Sequence, residues 1–238
     1  MPRIRTLLLA GIIAAASTSL SQSAGPDIDR SQLRSYPAGP FSAVNTSFGG
    51  LETTVPLFSL DGPGGTGISF GLRHRSNQIL GSQFFQRNLG KGWFHSYENM
   101  VRVSGNNLVQ DVAGSGGQLW ANGDTVGGLY GRRAGTRDDL RDIFSPTGTW
   151  IGWEVDEFPS RNKLRYLRIN GDLQRNVAYL SAVVDPYGNA VEIYYDTLYR
   201  VTRIDDASNL RSVVFNYADS TTYALISSLS LNYPGGSR

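Results

Sequence analysis

Two histidines are the residues of this 238-residue chain whose type is most often used in catalysis or metal binding. His74 and His95 stand beside strand signals and aromatic residues, and a zinc site would need at least one further ligand from scattered carboxylates. A Ser-His-Asp triad can be assembled on paper in any serine-rich chain, but no G-x-S-x-G elbow accompanies these histidines. The sequence therefore predicts structural or exposed histidines, with no metal site and no hydrolytic triad.

A glycine-rich stretch, GPGGTG at residues 62–67, matches the spacing of a phosphate-binding loop. Such a loop binds phosphate where a helix follows it, because the amide groups at the helix N-terminus meet the anion. Here the strand-like run ISFGL follows instead. We therefore expect a hairpin loop and no nucleotide or other cofactor.

Two acidic clusters contain the residue types of a calcium site or of a pair of catalytic carboxylates. Arginines close to each cluster neutralise its charge, which favours solvent-facing turn charges over a ligand site. Because no nucleophile, base and orienting group stand in a recognisable arrangement, we expect a protein that is not an enzyme. The residues concerned are Asp138, Asp139, Asp142, Asp205 and Asp206, with Arg137, Arg141 and Arg203.

Aromatic side chains are the best candidates for ligand binding, because their rings can stack on sugars as well as pack across strands. In the run EIYY at residues 192–195, alternate side chains point to opposite faces of a strand. We expect Ile193 and Tyr195 to point inward and Tyr194 outward. Tyr194 is therefore the candidate sugar-stacking residue, and cross-strand packing is the alternative for most of the other aromatics.

The composition indicates that strands and tight turns position these residues. The chain has 28 glycines, 12 tyrosines and 10 phenylalanines, and its apolar runs alternate with small or polar residues. We predict an all-β, antiparallel protein with more than half of the mature chain in strands and no helix longer than two turns. This expectation includes the charged segment at residues 137–144. The chain has no cysteine, so disulfides and thiolate metal sites are excluded.

The first residues have the layout of a secretory signal peptide, which we place at residues 1–23, with cleavage after Ala16 or after Ala24 as the alternatives. Arg3 and Arg5 precede an uncharged run at residues 7–16, which is about half of the ~20 apolar residues that a membrane-spanning helix needs. A retained anchor helix is the alternative. No long apolar run follows, so the mature chain is expected to have no membrane span and to be secreted or displayed at a bacterial cell surface.

The mature chain gives no electrostatic reason to expect a polyanionic partner. The 22 basic and 20 acidic side chains include two arginines of the leader. A balanced mature charge argues against nucleic acid or an anionic membrane surface as a partner. Residues 24–40, which follow the leader, contain three prolines and no apolar period, and they predict a flexible tether.

The C-terminal third contains an internal repeat of a strand, a tight turn and a second strand. The turn DPYGN at residues 185–189 has the proline and glycine that a tight turn favours. The strand-like residues that follow end in the pair YD at residues 195–196, and a later strand ends in YAD at residues 217–219. A spacing of about 20 residues between such hairpins predicts a repeat architecture.

These motifs resemble the rearrangement-hotspot (Rhs) and YD-repeat family, whose repeat reads roughly as D-x-x-G-N/R, an alternating strand and Y-D-x-x-G-R. In this chain Tyr199 replaces the glycine before the final arginine, and since a tyrosine resists positive φ the conformation of that turn stays open. A second, degenerate unit spans residues 204–217, with Asn209 near the usual glycine. The residues that match the repeat are Asp185, Pro186, Gly188, Asn189, Tyr195, Asp196, Arg200 and Tyr217.

The upstream half resembles the N-terminal segment of the same family. The similarity consists of a V-N…G-L entry at residues 44–51, an L-x-R strand and a G-x-G-W box. It divides the mature chain into an Rhs-like N-terminal β segment at residues 41–125 and a YD-repeat region at residues 126–238. The matching residues are Arg73, Asn77, Gly90, Gly92 and Trp93.

The resemblance implies a meandering, spiral β-sheet that forms part of an open shell. Shells of this family typically enclose a toxic C-terminal domain, or are displayed at the cell surface as adhesion or carbohydrate-contacting modules. It therefore implies a non-catalytic structural or binding protein, whose partners are further YD-repeat strands or a partner polypeptide, with carbohydrate as a further candidate. A carbohydrate-binding surface module and a hydrolase with an unrecognised site are the alternatives.

Two parts of the family are missing before Arg238, namely the core segment with its aspartate-dependent self-cleavage signature and the variable toxin domain. The Asp-Pro pair at residues 185–186 belongs to a repeat turn and is not that cleavage site. We therefore expect the N-terminal piece of a larger shell, or a chain that needs a partner. Its last strand, at about residues 225–231, should have an unpaired edge and an uncovered apolar face.

Overall fold

The computed structural model describes residues 35–39, 42–45, 50–76, 86–112, 117–126, 129–132, 137–169, 177–221 and 224–237, all within the unit Arg34–Arg238. More than half of these residues lie in β-strands, and their helical residues are a single 3₁₀ turn at Pro63–Gly65 and Ser76. This confirms the all-β prediction. Within the described ranges no helix is long and apolar enough to cross a membrane. The predicted signal peptide lies outside the described residues.

The first part of the chain forms a five-stranded sheet, which we call the N-terminal sheet, and a small hairpin. The strands are β1 (Ser35–Gly39), β2 (Ser42–Asn45), β3 (Gly50–Leu60), β4 (Ile68–Arg75), β5 (Gln86–Arg87), β6 (Gly90–Lys91) and β7 (Trp93–His95). The sheet has the order β1-β2-β3-β4-β7, while β5 pairs with β6. The last residues of the predicted tether, Ser35–Gly39, pair with β2, and most of the tether lies outside the described residues.

The remaining strands form one antiparallel sheet of 13 strands, which we call the main sheet. They are β8 (Asn99–Ser104), β9 (Asn107–Val112), β10 (Gly117–Val126), β11 (Leu129–Arg132), β12 (Asp139–Phe144), β13 (Trp150–Asp156), β14 (Lys163–Leu167), β15 (Val177–Val184), β16 (Ala190–Tyr195), β17 (Val201–Asp205), β18 (Ser212–Tyr217), β19 (Ile226–Tyr233) and β20 (Gly236–Ser237). Consecutive strands pair from β8 to β14 and again from β15 to β20.

Strand β15 joins the two runs of the main sheet. Tyr179 of β15 pairs with Leu167 of β14 on one edge and with Met100 of β8 on the other. Further along the second edge, β15 pairs with β16 instead. The sheet therefore winds back on itself at β15 and continues outward as an open spiral, as expected.

The boundary between the two sheets lies between β7 and β8, upstream of the predicted domain boundary at residues 125–126. The hairpins from β8 to β11 run through the predicted boundary, which falls inside β10. Strand pairing therefore assigns residues 99–125 to the same sheet as the repeats.

The hydrophobic core extends from Ile68 and Phe70 of the N-terminal sheet across the inner faces of β8–β18 of the main sheet. Phe70 of β4 meets Phe215 of β18 edge to face, with ring centroids 5.5 Å apart. Both rings are buried, together with Ile68, Ile204 and Val213. Alternation produces this core, because every second side chain of β16 and β18 points inward.

Two local predictions are confirmed. Residues 62–67 connect β3 to β4, so the glycine-rich stretch is a hairpin loop without the helix that phosphate binding requires. The charged segment at residues 137–144 contains strand β12 and no helix.

The last long strand, β19, matches its prediction only in part. Among the described strands, β18 pairs along its length and β20 pairs only with Asn232 and Tyr233. The amide of Ile226 donates to the carbonyl oxygen of Asn88 at 2.8 Å. The predicted uncovered apolar face is wrong, because Leu229 and Leu231 are partly buried against the core.

Candidate functional site: the repeat turns

The first repeat turn, at residues 185–189, is organised around one buried carboxylate. Oδ1 of Asp185 accepts the backbone amides of Tyr187 and Asn189, both at 2.8 Å, and Oδ2 accepts Nδ2 of Asn189 at 2.7 Å. Gly188 has φ 89°, which suits glycine. The turn residues are Asp185, Pro186, Tyr187, Gly188 and Asn189.

The second repeat turn, at residues 196–200, repeats this geometry without the glycine. Asp196 accepts the amides of Leu198 and Arg200 at 2.8 and 3.0 Å, and Nε of Arg200 at 2.7 Å. Tyr199 adopts φ 64° at the position that Gly188 has in the first turn, so the two turns have the same left-handed residue position. Its ring stacks on Tyr179 with centroids 5.5 Å apart.

The third repeat turn, at residues 206–211, is longer by one residue and keeps the same plan. Asp206 accepts the amides of Ser208 and Arg211 and, at 2.6 Å, Nε of Arg211. Asn209 takes the glycine position with φ 56°. Asp206 is fully buried, so the prediction that it is a solvent-facing turn charge is wrong.

Hydrogen bonds keep the turn carboxylates ionised. Burial alone would raise the pKa of Asp185, but hydrogen bonds from Asn189 and Thr66 hold that pKa below its ordinary value. Burial likewise opposes ionisation of Asp206, and bonds from Ser208 and Arg211 lower its pKa overall. Carboxylates satisfied in this way are structural anchors rather than acids or bases.

The tyrosines of the two units occupy equivalent positions. The hydroxyl of Tyr195 donates to the carbonyl oxygen of Leu180 at 2.8 Å, and that of Tyr217 donates to the carbonyl oxygen of Val201 at 2.6 Å. Burial raises the pKa of Tyr217. Each tyrosine therefore ties the end of its strand to the backbone of an earlier strand.

Arginines connect neighbouring turns. Nη1 of Arg200 donates to the carbonyl oxygens of Asp219 and Thr221 at 3.1 and 2.8 Å, and its guanidinium lies 4.4 Å from the ring centroid of Tyr217. This side chain is 11% exposed and reaches two turns at once. Arg211 instead reaches Asp61, in the loop between β3 and β4.

Two further turns of this kind escaped the sequence analysis. In SPTGT at residues 145–149, Oγ of Ser145 accepts the amide of Thr149 at 3.2 Å, and Gly148 has φ 78°. In EFPSRN at residues 157–162, the amide of Arg161 donates to the carbonyl oxygen of Glu157. The string S-P-x-G-T was a usable signal for the first turn, whereas nothing in the second resembles the family motif.

The residues of the N-terminal motif lie apart from the repeat turns. Arg73 forms an ion pair with Glu52 at 3.2 Å on the N-terminal sheet. The rings of Trp93 and His74 lie 4.9 Å apart across a strand pair. Positive φ angles of 91° and 75° occur at Gly90 and Gly92. Asn77 lies outside the described residues.

Tyr194, the candidate sugar-stacking residue, points outward as predicted, while Ile193 is buried. The guanidinium of Arg203 lies 4.3 Å from the centroid of its ring and covers one face. Its hydroxyl donates to Glu192. A sugar could therefore stack only on the opposite face.

The histidine and the aspartate considered above as catalytic or metal-binding residues form packing contacts and hydrogen bonds within the fold. His95 is buried against Phe70 and Phe215, and its Nδ1 accepts the amide of Tyr97 at 3.3 Å. Asp142 accepts the hydroxyl of Tyr130 at 2.9 Å. Within the described ranges, no three residues of ligand type come together as a metal site would require.

The antiparallel sheets form an open β-shell fold. The crystal structure of TcdB2-TccC3 matches it with a TM-score of 0.56 over 84% of this chain, at 13% sequence identity. This chain spans 14% of the length of that chain, and at this identity the likeness shows the fold alone. No family model matches the sequence, and no curated protein matches it either.

Proposed function

We propose that this protein is a non-catalytic, exported scaffold that forms part of an Rhs-like β-shell and holds or displays a partner polypeptide, in toxin delivery or contact between cells. The observation that carries this proposal is the repeat-turn array. Asp185, Asp196 and Asp206 direct their carboxylates into their own turns, where amides and side chains use them as acceptors. Carboxylates bound in this way stabilise the turns, and most of their acceptor positions are already occupied by hydrogen bonds.

The fold likeness supports the same proposal. A shell built from repeats buries its apolar face against neighbouring repeats, so an array of this kind favours additional strands. Strand β19 offers a place for them, because β20 covers only its last two residues. The sequence of β19, ISSLSLNY, carries no charge that would discourage pairing. The proposed partner therefore contributes strands along this edge.

The test is the association state of the leader-free chain, residues 24–238. We expect concentration-dependent association in light scattering, because the β19 edge pairs with another chain. Ser228→Lys places a charge on that exposed strand and should weaken association. Asn107→Lys is the matched control, since it adds the same charge at an exposed hairpin on the far part of the sheet.

Two results would contradict the proposal. A monodisperse, protease-resistant monomer that retains residues 220–238 would show that the edge needs no partner. Reproducible hydrolysis by the purified protein, abolished by one point substitution, would show that the protein is an enzyme.

A further inference from the structure

The loop at residues 61–67, between β3 and β4, lies directly on the first and third repeat turns. Thr66 is buried, and its side chain lowers the pKa of the Asp185 carboxylate in the first turn. The guanidinium of Arg211 donates to the carbonyl oxygen of Asp61, a residue 150 positions away. The loop therefore joins the N-terminal sheet to two turns of the main sheet.

Gly64, at the tip of this loop, has no room for a side chain. An added Cβ would lie 2.4 Å from Oδ2 of Asp185 and 2.9 Å from Nδ2 of Asn189, far inside normal contact distance. Its φ of 64° adds a separate requirement for glycine. The tip thus fits closely against the hydrogen-bonded pair at the centre of the first turn.

Arg211 does for this loop what Arg200 does for a following repeat turn. Arg200 binds its own aspartate through Nε and donates from Nη1 to carbonyl oxygens of the next loop on its side of the sheet. Arg211 also binds its own aspartate through Nε, but its terminal nitrogen reaches Asp61. The β3–β4 loop therefore occupies the place that a neighbouring repeat turn has elsewhere in the array.

The loop also determines whether the apolar seam beneath it is covered. Strand β4 begins at Ile68, two positions after Thr66, and both Ile68 and Phe70 are buried. Phe70 packs on Phe215 of β18. Lifting the loop would move the start of β4 away from the main sheet and expose this seam.

We propose that the β3–β4 loop is a latch, which holds the N-terminal sheet closed over the inner face of β16–β18 and whose release exposes the Ile68–Phe70–Phe215 seam. The latch is a property of this chain alone and does not depend on the proposed partner. Its parts are Thr66, Gly64 and Arg211, each acting on a repeat turn.

The test compares Gly64→Ala with Gly105→Ala. Both glycines have positive φ, 64° and 58°, so both substitutions introduce backbone strain. Only at Gly64 does the new Cβ meet other atoms, because nothing lies within 4 Å of the corresponding position at Gly105. We expect hydrogen exchange in Ile68–Arg75 and Ser212–Tyr217 to rise about tenfold for Gly64→Ala, a shift of about 1.4 kcal/mol. Gly105→Ala should affect its own hairpin only.

A milder variant keeps the test decisive if Gly64→Ala fails to fold. Thr66→Val removes the hydroxyl and keeps the shape, so it should raise exchange in β4 and β18 by a smaller factor. In the Gly64→Ala background it should have no further effect, because the latch is already open. Equal exchange for the two alanine variants would overturn the latch, and so would unchanged exchange in β4 and β18 for Thr66→Val alone.

Discussion

The turns at residues 185–189 and 196–200 have the same hydrogen bonds and differ at the residue with the left-handed backbone. The first has Gly188 at φ 89°, and the second has Tyr199 at φ 64°. A tyrosine in this region costs about 1–2 kcal/mol, which glycine avoids. In both turns an aspartate accepts the amides two and four positions later.

This difference shows that the aspartate determines these turns and that glycine is not required at the position with positive φ. Asn209 in the third turn and Arg161 at residues 157–162 also adopt positive φ, at 56° and 58°. The stacking of Tyr199 on Tyr179 offsets part of the strain in the Tyr199 backbone. A motif search that demands glycine therefore overlooks turns in which the aspartate carboxylate and backbone hydrogen bonds act together.

Removing a turn carboxylate should have the largest effect. Asp206→Ala leaves the amides of Ser208 and Arg211 and the partly exposed guanidinium of Arg211 without their acceptor, so we expect a loss of about 3 kcal/mol. Urea unfolding of the leader-free protein would measure this loss. Asp219→Ala is the control, because the carboxylate of Asp219 is exposed and accepts from the neighbouring Thr221. Equal losses for the two variants would show that the carboxylate does not determine the turn.

Substitutions at the two residues with positive φ should change the free energy of unfolding by different amounts. Gly188→Ala should destabilise by about 1 kcal/mol through strain alone, since nothing lies within 4 Å of the added Cβ. Tyr199→Gly should change stability by less than about 0.5 kcal/mol, because relief of strain offsets lost stacking and added chain entropy. Tyr199→Ala keeps the strain and loses the stacking, so it should destabilise by about 1 kcal/mol. Thermal and urea unfolding would rank the three, and a stabilising Gly188→Ala would contradict the comparison.

The tyrosines test whether the two units are equivalent. Tyr195→Phe and Tyr217→Phe each remove one hydrogen bond to a carbonyl oxygen and should each cost about 1 kcal/mol. Tyr194→Phe is the matched control on the outer face, where the hydroxyl meets only the exposed Glu192, and it should be near neutral. Unequal costs at Tyr195 and Tyr217 would show that the second unit has lost its repeat function.

The smallest expected effect is the dependence of stability on acidity. The pKa values of Asp185 and Asp206 are lowered in the folded protein, so their stabilisation is present above the ordinary aspartate value and is lost as pH falls through the lowered one. The raised pKa of Asp205 acts in the opposite direction over its own range. Urea midpoints should therefore fall between about pH 5 and pH 3, and less so for Asp206→Asn. If the urea midpoint of the Asp206→Asn variant falls with pH as steeply as that of the unsubstituted protein, Asp206 does not contribute to the pH dependence of stability.

The sequence contains enough information for the all-β fold, the hairpin loop at residues 62–67 and the first two repeat turns. The alternation of apolar and polar residues in strands and the types of turn residues are local patterns, and tertiary packing did not override them here. The turn at residues 145–149 was missed because serine replaces the aspartate, although its hydroxyl oxygen accepts the same kind of bond. The contact of Arg211 with Asp61 could not be predicted, because it joins residues 150 positions apart and depends on how two sheets pack.

The sharing of one edge of β15 between β8 and β16 has a consequence for the order in which the chain acquires its structure. Strand β8 obtains its second neighbour only when residues 177–179 leave the ribosome, so the hairpins made earlier must wait with an exposed edge. Long-range pairing of this kind is slow and leaves newly made strands open to association. Substitutions in β15 should therefore lower the yield of folded protein by slowing its maturation, even where they barely change its final stability.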